Sequence, residues 1–286
     1  MTGYEALRLS AARVRLPGRG LIRVNGEDRA RLVHAMSTNQ VQALQTGECC
    51  HTFFLNAQGR ILADAWVVCQ EDSLLLDTEP EAKDKLFAHL DKFIIADDVT
   101  LEDVTEQLAA IAVEGPLAEG WPGAFPISAV GGVGWRAYTD DPASLWKRLA
   151  HYPEAAAQER ELVRLENGHP RCGVDILETH LVQETGQMQS VSFTKGCYLG
   201  QEIVERVRSR GAVHRHLRAL RVAGHAVPAP MSELTLGEAK AGFVTSAAYS
   251  ERLGEVVGLG MVKDSSGNAL QLADGTPVRV AQAATG

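Results

Sequence analysis

The sequence predicts an α+β chain that ends in a small all-β unit. Two observations carry this. From Leu21 to Ile94 the elements run strand, helix, three strands, helix, which is not the strict alternation of a doubly wound sheet. After Gly211 the character changes, and short β-like runs alternate with turn signals about every ten residues, the pattern of a small barrel or sandwich.

Each element has a local reason. Leu21–Val24 is a short apolar strand, Asn25-Gly26 is a turn signal, and Asp28 caps a helix over 29–37 whose stripe is Leu32, Val33 and Met36. His51–Leu55 and Ile61–Val68 are strands, separated by a hairpin loop, Asn56-Ala57-Gln58-Gly59. Ser73–Asp77 is a third apolar strand. Pro80 opens a helix with Leu86, Phe87, Leu90, Phe93 and Ile94 at helical spacing. Strands follow near Val99–Leu101 and Leu108–Val113, then a glycine-rich stretch, 131–134. Helices cover Pro142–Leu149 and Ala155–Glu166, the second stopped by Gly168. The last β-like runs are LRALRVA, AGFVTSAAY, VVGLGMV and PVRVA. The pattern divides the chain near Arg210–Val213 into a body, 1–210, and a C-terminal unit, 211–286. The body subdivides near 100–115.

Composition excludes several classes. With 286 residues, 45% of them hydrophobic, the chain can bury a large core. No run approaches the roughly 20 apolar residues of a membrane helix, so no membrane partner is expected. The first twenty residues lack a charged head followed by an apolar run, which makes the cytoplasm the default location. The five cysteines, Cys49, Cys50, Cys69, Cys172 and Cys197, include no CxxC, and the nine histidines include no HxxxH. Neither a disulfide scaffold nor a protein-held metal is therefore expected. The net charge of −8 is uneven: Ile61–Gly120 holds 15 acidic and 3 basic residues, Lys195–Arg221 holds 7 basic and 2 acidic. The second stretch suggests a local basic surface able to hold an anion, but an acidic chain is not expected to bind nucleic acid directly.

The most informative run is SFTKGCYLGQEIVERVRSRG, Ser192–Gly211. Leu199–Arg210 is a helix by pattern, with Ile203, Val204 and Val207 inward and a Glu202–Arg206 pair on its surface. Cys197 then lies at or just before the helix N-terminus, beside Lys195. Both features favour a thiolate. The spacing alone fits a buried structural cysteine somewhat better, because no histidine stands where a nucleophile's base would. In the strand ILADAWVV, alternation puts Ile61, Ala63 and Ala65 on one face and Leu62, Asp64 and Trp66 on the other. Asp64 is then either a hydrated edge residue or a functional carboxylate.

KGCYLGQE resembles the signature of the YgfZ family, which is similar in fold to the T-protein of the glycine cleavage system. Lys195, Gly196, Cys197, Tyr198, Gly200, Gln201 and Glu202 match it. The run from Ser37 through Val67, with Thr38-Asn39 and Gly59, is similar to the family's N-terminal segment. RLENGHPRCGVDI is similar to its central segment, and GFVTS and GLGMV resemble its barrel strands. The resemblance implies three domains around a central folate cleft, with a small C-terminal β-barrel. It implies tetrahydrofolate or a one-carbon derivative as cofactor, with Asp64 near the reactive pterin nitrogens, and Arg164 near the cleft, a sensible partner for the folate's glutamate tail. It adds Asn39, Lys195, Tyr198 and Gln201 as further folate-binding candidates. Trp66, Trp135 and Tyr198 are candidates to stack on the pterin. Cys197 maps to the family's functional cysteine, expected at the mouth of the folate pocket.

The function so implied is folate-dependent assembly or repair of iron–sulfur clusters, with indirect effects on tRNA modification and with iron–sulfur client or assembly proteins as partners. Cys197 and Asp64 carry the chemistry, without classical turnover being required. One alternative is a tetrahydrofolate-dependent aminomethyltransferase. Against it, GGVGWRAY lacks the pterin-reading glutamate that T-proteins carry in the comparable turn. Another alternative is a non-catalytic RNA-modification accessory protein, supported only by the basic 195–221 run.

Overall fold

The computed structural model describes residues 1–211 and 213–281. In chain order its elements are α1 (Gly3–Leu9), β1 (Ala12–Leu16), β2 (Gly20–Asn25), α2 (Arg29–Met36), β3 (Cys49–Leu55), β4 (Ile61–Cys69), β5 (Leu74–Thr78), α3 (Pro80–Asp91), β6 (Thr100–Asp103), β7 (Ala109–Glu114), β8 (Ala124–Phe125), β9 (Gly134–Thr139), α4 (Pro142–Arg148), α5 (Ala157–Glu166), α6 (Gln201–Arg210), β10 (Arg215–Val222), β11 (Glu233–Leu236), β12 (Ala239–Ser250), β13 (Glu255–Lys263), β14 (Ala269–Leu272) and β15 (Pro277–Val280). The strands form three units: a five-stranded sheet β3-β4-β5-β2-β6, a four-stranded sheet β1-β7-β9-β8, and a closed barrel β10-β13-β12-β11-β14-β15.

The first sheet shows why the site lies where it does. Ala63, Ala65 and Val67 of β4 join Leu32, Val33 and Met36 of α2 and Leu86 and Leu90 of α3 in one core. The strict alternation of β4 then turns Asp64 and Trp66 to the opposite face. On that face Trp66, Leu75 and Leu21 meet Phe125 and Tyr138 of the second sheet and Ile127 just beyond β8. A buried carboxylate, Asp77, ties the two sheets together. It accepts from Arg19 Nε (2.6 Å) and Tyr138 Oη (2.6 Å) and pairs with Arg136. The barrel core is a separate apolar cluster built on Leu220, Val244, Val256 and Val278.

The pattern located most of this. The alternation of β4, the hairpin at Asn56–Gly59 and the order strand, helix, three strands, helix are all present. Gly59 has φ +71°, and a Cβ there would lie 2.7 Å from Ile203. Gly200 has φ +84° and caps α6, and a Cβ there would meet the Asn56 carbonyl at 2.7 Å. The two glycines let the motif helix pack onto the β3–β4 turn. The left-handed cap delays the helix to Gln201, so it starts later than Leu199. At the expected boundary Arg210–Val213, Ala212 lies outside the described residues, as do 282–286 of the expected C-terminal unit; α6 ends at Arg210 and β10 begins at Arg215. The sequence pattern does not predict α1, β1, β8, β9, β11 or β14.

Glu114, at the end of β7, is wholly buried and touches Ser128 Oγ (2.7 Å) and the Ala129 N–H (2.8 Å). Burial pushes its carboxyl up to about 7, against the opposing pull of those donors. The neutral form is thus favoured in the fold. Its contribution to stability is complete below the ordinary glutamate range and is lost as pH rises through about 7. Glu114→Gln should raise the melting temperature at pH 8 and flatten the stability change between pH 5 and 8. Parallel losses in wild type and variant would show that this carboxyl is not the source.

Candidate functional site

A cleft of about 260 Å³ opens between the two sheets, α5 and the 169–172 and 187–189 segments. Its wall includes Asp64, Trp66, His51, His169, Cys172 and Gln189. Asp64 projects from β4 because of the alternation above. Its Oδ2 lies 3.1 Å from His51 Nε2, and His51 Nδ1 lies 2.6 Å from Ser190 Oγ. His51 stands on neighbouring β3, and its ring packs edge-on against Phe53 and tilted against Trp66. Burial, with the positive charges of Arg164 and Arg136 nearby, pushes His169 down to about 4, so it is a neutral imidazole at physiological pH.

Arg164 does line the cleft, but its role differs from the one expected. It is 3% exposed. Nε and Nη2 donate to Glu161 (2.9 and 2.6 Å), Nη1 donates to the His169 carbonyl (2.6 Å) and Asp175 (2.7 Å), and Nη2 also reaches Ser246 Oγ (3.3 Å). All five N–H donors are used. Arg164 therefore fixes the cleft wall and has no donor left for a folate tail. Asp175 also accepts from Thr245 Oγ1 and Ser246 Oγ (each 2.6 Å) and from the Arg171 N–H (3.0 Å). The Arg164–Asp175 pair thus joins α5 and the 169–176 loop to β12 of the barrel.

Cys197 is not at the mouth of this cleft. It is exposed and lines a different, shallow depression with His34, Gln40, Gln42, Ala43, Thr194, Lys195 and Gly196. The two cavities share no lining residue. The cause is the path of the chain. Segment 188–200 wraps around β3, the edge strand of the first sheet. Ser192 N–H bonds to the Thr38 carbonyl and Leu199 N–H to Ala35 at the end of α2. Cys197 comes to rest on the helical side, opposite the face that carries Asp64.

The other motif residues are structural. Lys195 is buried, and its ammonium donates to the His34, Ser37 and Asn39 carbonyls (2.6, 2.6 and 2.8 Å). Desolvation pushes it down to about 8. The three carbonyls take all three of its donors, so none is left for Cys197 or a folate. Tyr198 is buried against Phe53, Leu55 and Ile61, away from the cleft, and cannot stack on a ligand there. Gln201 accepts from the Tyr198 N–H through Oε1 (3.3 Å) and pins the turn before α6. Asn39 Nδ2 donates to the His51 and Gln189 carbonyls (2.8 and 3.2 Å), so it braces the cleft without lining it. Of the three aromatic stacking candidates only Trp66 lines the cleft; Trp135 packs beside Gly120 and Leu145.

Several cleft residues escaped the sequence reading. Arg19, Asp77, Arg136, Glu79, Glu81, Arg160, Glu161 and Arg171 all contribute to the wall. The missing carboxylate in GGVGWRAY is therefore a weaker argument than the sequence alone suggested, because Glu81 and Glu161 reach the same cavity from other elements. The basic 195–221 run is also not a free cationic surface. Arg206, Arg208 and Arg215 pair with Glu202, Glu205 and Glu184, and Lys195 is buried. Among the described residues no group of three or more metal-ligating side chains could hold an ion, and no helix is long and apolar enough to cross a membrane.

The fold and the cleft define the class. The GCVT N-terminal domain matches residues 4–121, and the glycine cleavage T-protein C-terminal barrel domain matches residues 215–285. The chain belongs to the T-protein-like superfamily. Its architecture superposes on glycine cleavage system aminomethyltransferase T from Bartonella henselae with a TM-score of 0.84, over 98% of this chain and 87% of that one, at 17% identity. It is 29% identical to the mitochondrial iron–sulfur cluster assembly factor IBA57 of Mus musculus, over 78% of this chain and 69% of that protein. It is 27% identical to a putative chloroplastic transferase of Arabidopsis thaliana, over 85% of this chain but only 63% of that protein's length. An aminomethyltransferase of Thermosipho melanesiensis is 25% identical, over 85% and 76% respectively.

Two outcomes test this geometry. Asp175→Asn removes the fully buried carboxylate that pairs with Arg164, leaving only the more exposed Glu161 pair, and should cost about 3 kcal/mol in urea unfolding; a loss below about 1 kcal/mol would deny the pair its structural role. Cys197 should react with iodoacetamide at pH 8 at least roughly tenfold faster than the other cysteines. Burial pushes Cys49 up to about 11 and Cys50 up to about 12, and Cys172 is buried. Peptide mass spectrometry reads each site separately.

Proposed function

We propose that this chain binds a reduced folate, tetrahydrofolate or a one-carbon derivative, around Asp64, and acts in the assembly or repair of iron–sulfur clusters through Cys197. One observation carries the reading. A T-protein-like fold here combines an internal cleft floored by a carboxylate with a thiol displayed on a separate, open surface. Aminomethyl transfer to folate needs the cleft and has no use for an outward thiol. A thiol that meets a protein-bound cluster, or a partner's own thiol, must be reachable by a macromolecule. Solved and curated relatives whose names specify aminomethyl transfer and iron–sulfur assembly support the two halves of the proposal.

In this reading the pterin stacks on Trp66 and presents N–H groups to Asp64. Arg160 and Arg171 on the wall replace Arg164 as partners for the tail carboxylates. Cys197 engages a client or assembly protein at the depression beside α2. Loss of modified tRNA bases would follow indirectly, where the modifying enzymes carry clusters. A cytoplasmic location belongs to the same proposal.

The aminomethyltransferase reading stays in play for one reason: Glu81 and Glu161 supply carboxylates in the cavity. Turnover with an aminomethylated carrier protein would establish it. For the main reading, tetrahydrofolate titrated anaerobically should bind the wild type, and Asp64→Ala should weaken it at least tenfold, about 1.4 kcal/mol. In cells deleted for the gene, Cys197→Ser should fail to restore iron–sulfur enzyme activity. Full rescue by the serine variant removes the thiol from the mechanism.

A further inference from the structure

The hydrogen bonds behind Asp64 have a chemical direction. Ser190 is 1% exposed, and its own N–H is committed to the Gln187 carbonyl. Its carbonyl accepts from Thr38 Oγ1 (2.7 Å). The Ser190 hydroxyl lies 2.6 Å from His51 Nδ1. On the other side of the ring, Nε2 faces the Asp64 carboxylate at 3.1 Å, and an ionised carboxylate only accepts. In the neutral imidazole the proton must then be on Nε2, leaving Nδ1 to accept from the Ser190 hydroxyl. The order is Ser190 O–H to His51 Nδ1, then His51 Nε2–H to Asp64 Oδ2. The ring cannot easily rotate away, because Phe53 and Trp66 pack on it with centroids 5.4 Å distant. The His51 main chain is held as well, its carbonyl accepting from Asn39 Nδ2 at 2.8 Å.

We propose that His51 and Ser190 are specificity-determining positioning residues that lock Asp64 as a hydrogen-bond acceptor and so select the reduced over the oxidised pterin. The inference rests on the folate reading above and deepens it. A carboxylate with one oxygen held by an N–H donor is fixed in orientation and offers its other oxygen as an acceptor. A tetrahydropterin carries N–H donors at ring nitrogens where a fully oxidised pterin carries lone pairs. The first makes a hydrogen bond with a locked acceptor, and the second sets lone pair against lone pair in a partly desolvated site. Removing the lock frees the Asp64 carboxylate to turn away from the ring nitrogens, so the reduced ring loses the hydrogen bond that sets it apart from the oxidised one. No covalent step is involved.

The test is a ratio of affinities. Tetrahydrofolate and folic acid are titrated anaerobically against wild type, Ser190→Ala and His51→Phe at pH 6 and pH 8. His51→Phe keeps the ring packing and removes both nitrogens; Ser190→Ala removes only the hydroxyl. Wild type should prefer tetrahydrofolate at least tenfold at both pH values. Both variants should shrink that preference at least threefold. Asp64→Asn, whose amide can donate, should shrink it too. A role confined to stability would weaken both ligands equally and leave the ratio unchanged, and that outcome overturns the proposal. Tight binding of both ligands by the wild type, without preference, overturns it while sparing the folate reading. Failure of the wild type to bind either ligand removes the folate reading, and the proposal with it. Circular dichroism identifies a misfolded variant, and the other then decides.

Discussion

The buried pair Arg164–Asp175 is the constraint on which the rest depends. Its partners belong to helix α5, the 169–176 loop and barrel strand β12. Two charges taken out of water are tolerable only when nearly every donor and acceptor is met. Here the guanidinium spends all its donors, and Asp175 accepts from a main-chain N–H and two hydroxyls besides. The barrel is thus fixed to the body by a polar knot, with the apolar contact of Leu165 against Val257 and Leu259 beside it. The 169–172 wall inherits its position from that knot. Without it, His169 and Cys172 would have no reason to border the same cavity as Asp64.

A second knot, around Asp77, sets the opposite wall. Arg19 comes from the β1–β2 turn, Arg136 and Tyr138 from β9, and Asp77 from β5. Arg19 also pairs with Glu79. Desolvation opposes the charge on Asp77, but the two guanidiniums outweigh it and hold the carboxyl below its ordinary range. The cleft is the space between these two clusters. Both are polar, and both are built from residues distant in sequence. That is a costly way to hold a cavity compared with apolar packing, and it leaves a wall rich in fixed charges and dipoles. Such a wall suits a ligand with many polar edges, and a heteroaromatic ring with a charged tail is one.

How much of this was visible in the sequence depends on the range of the interaction. Periodicity found β4 and therefore the orientation of Asp64, because a strand's two faces follow from local geometry alone. It found α3, α5 and the motif helix for the same reason. Helix α1 was missed although Thr2 and Glu5 form a capping box, a signal three residues apart that was there to be used. Strand β9 hid behind its glycine-rich approach. The site residues divide in the same way. Asp64 follows from alternation, whereas Arg19 and Tyr138 lie 58 and 61 residues from Asp77, Ser190 lies 139 from His51, and Thr245 and Ser246 lie 70 and 71 from Asp175, and nothing in one chain pairs them. Arg164 shows the opposite failure. Its place at the cleft was foreseen, but a count of its donors needs coordinates, and that count turns a ligand-binding arginine into a structural one.

The displacement of Cys197 has a physical cause that changes how the two functional elements can be related. The motif segment has to cross the edge of a sheet, since Tyr198 packs against Phe53, Leu55 and Ile61 while Leu199 bonds to the end of α2. Gly200, in a left-handed conformation against the Asn56 carbonyl, makes that crossing sharp. A thiol on the far side of that edge, in a depression that shares no residue with the cleft, cannot attack a group bound beside Asp64. Any dependence of its chemistry on folate must therefore pass through the protein or through a bound partner, and not through direct contact. A strip of hydrogen bonds through Thr38, Asn39, Thr52 and Ser190 runs along β3 and connects the two segments. A ligand that pulls on Asp64 pulls on His51 and Ser190 first. On the proposed reading, the fold separates the Cys197 thiol from a folate bound beside Asp64, while the segments that carry the two sites are both tied to the edge strand β3.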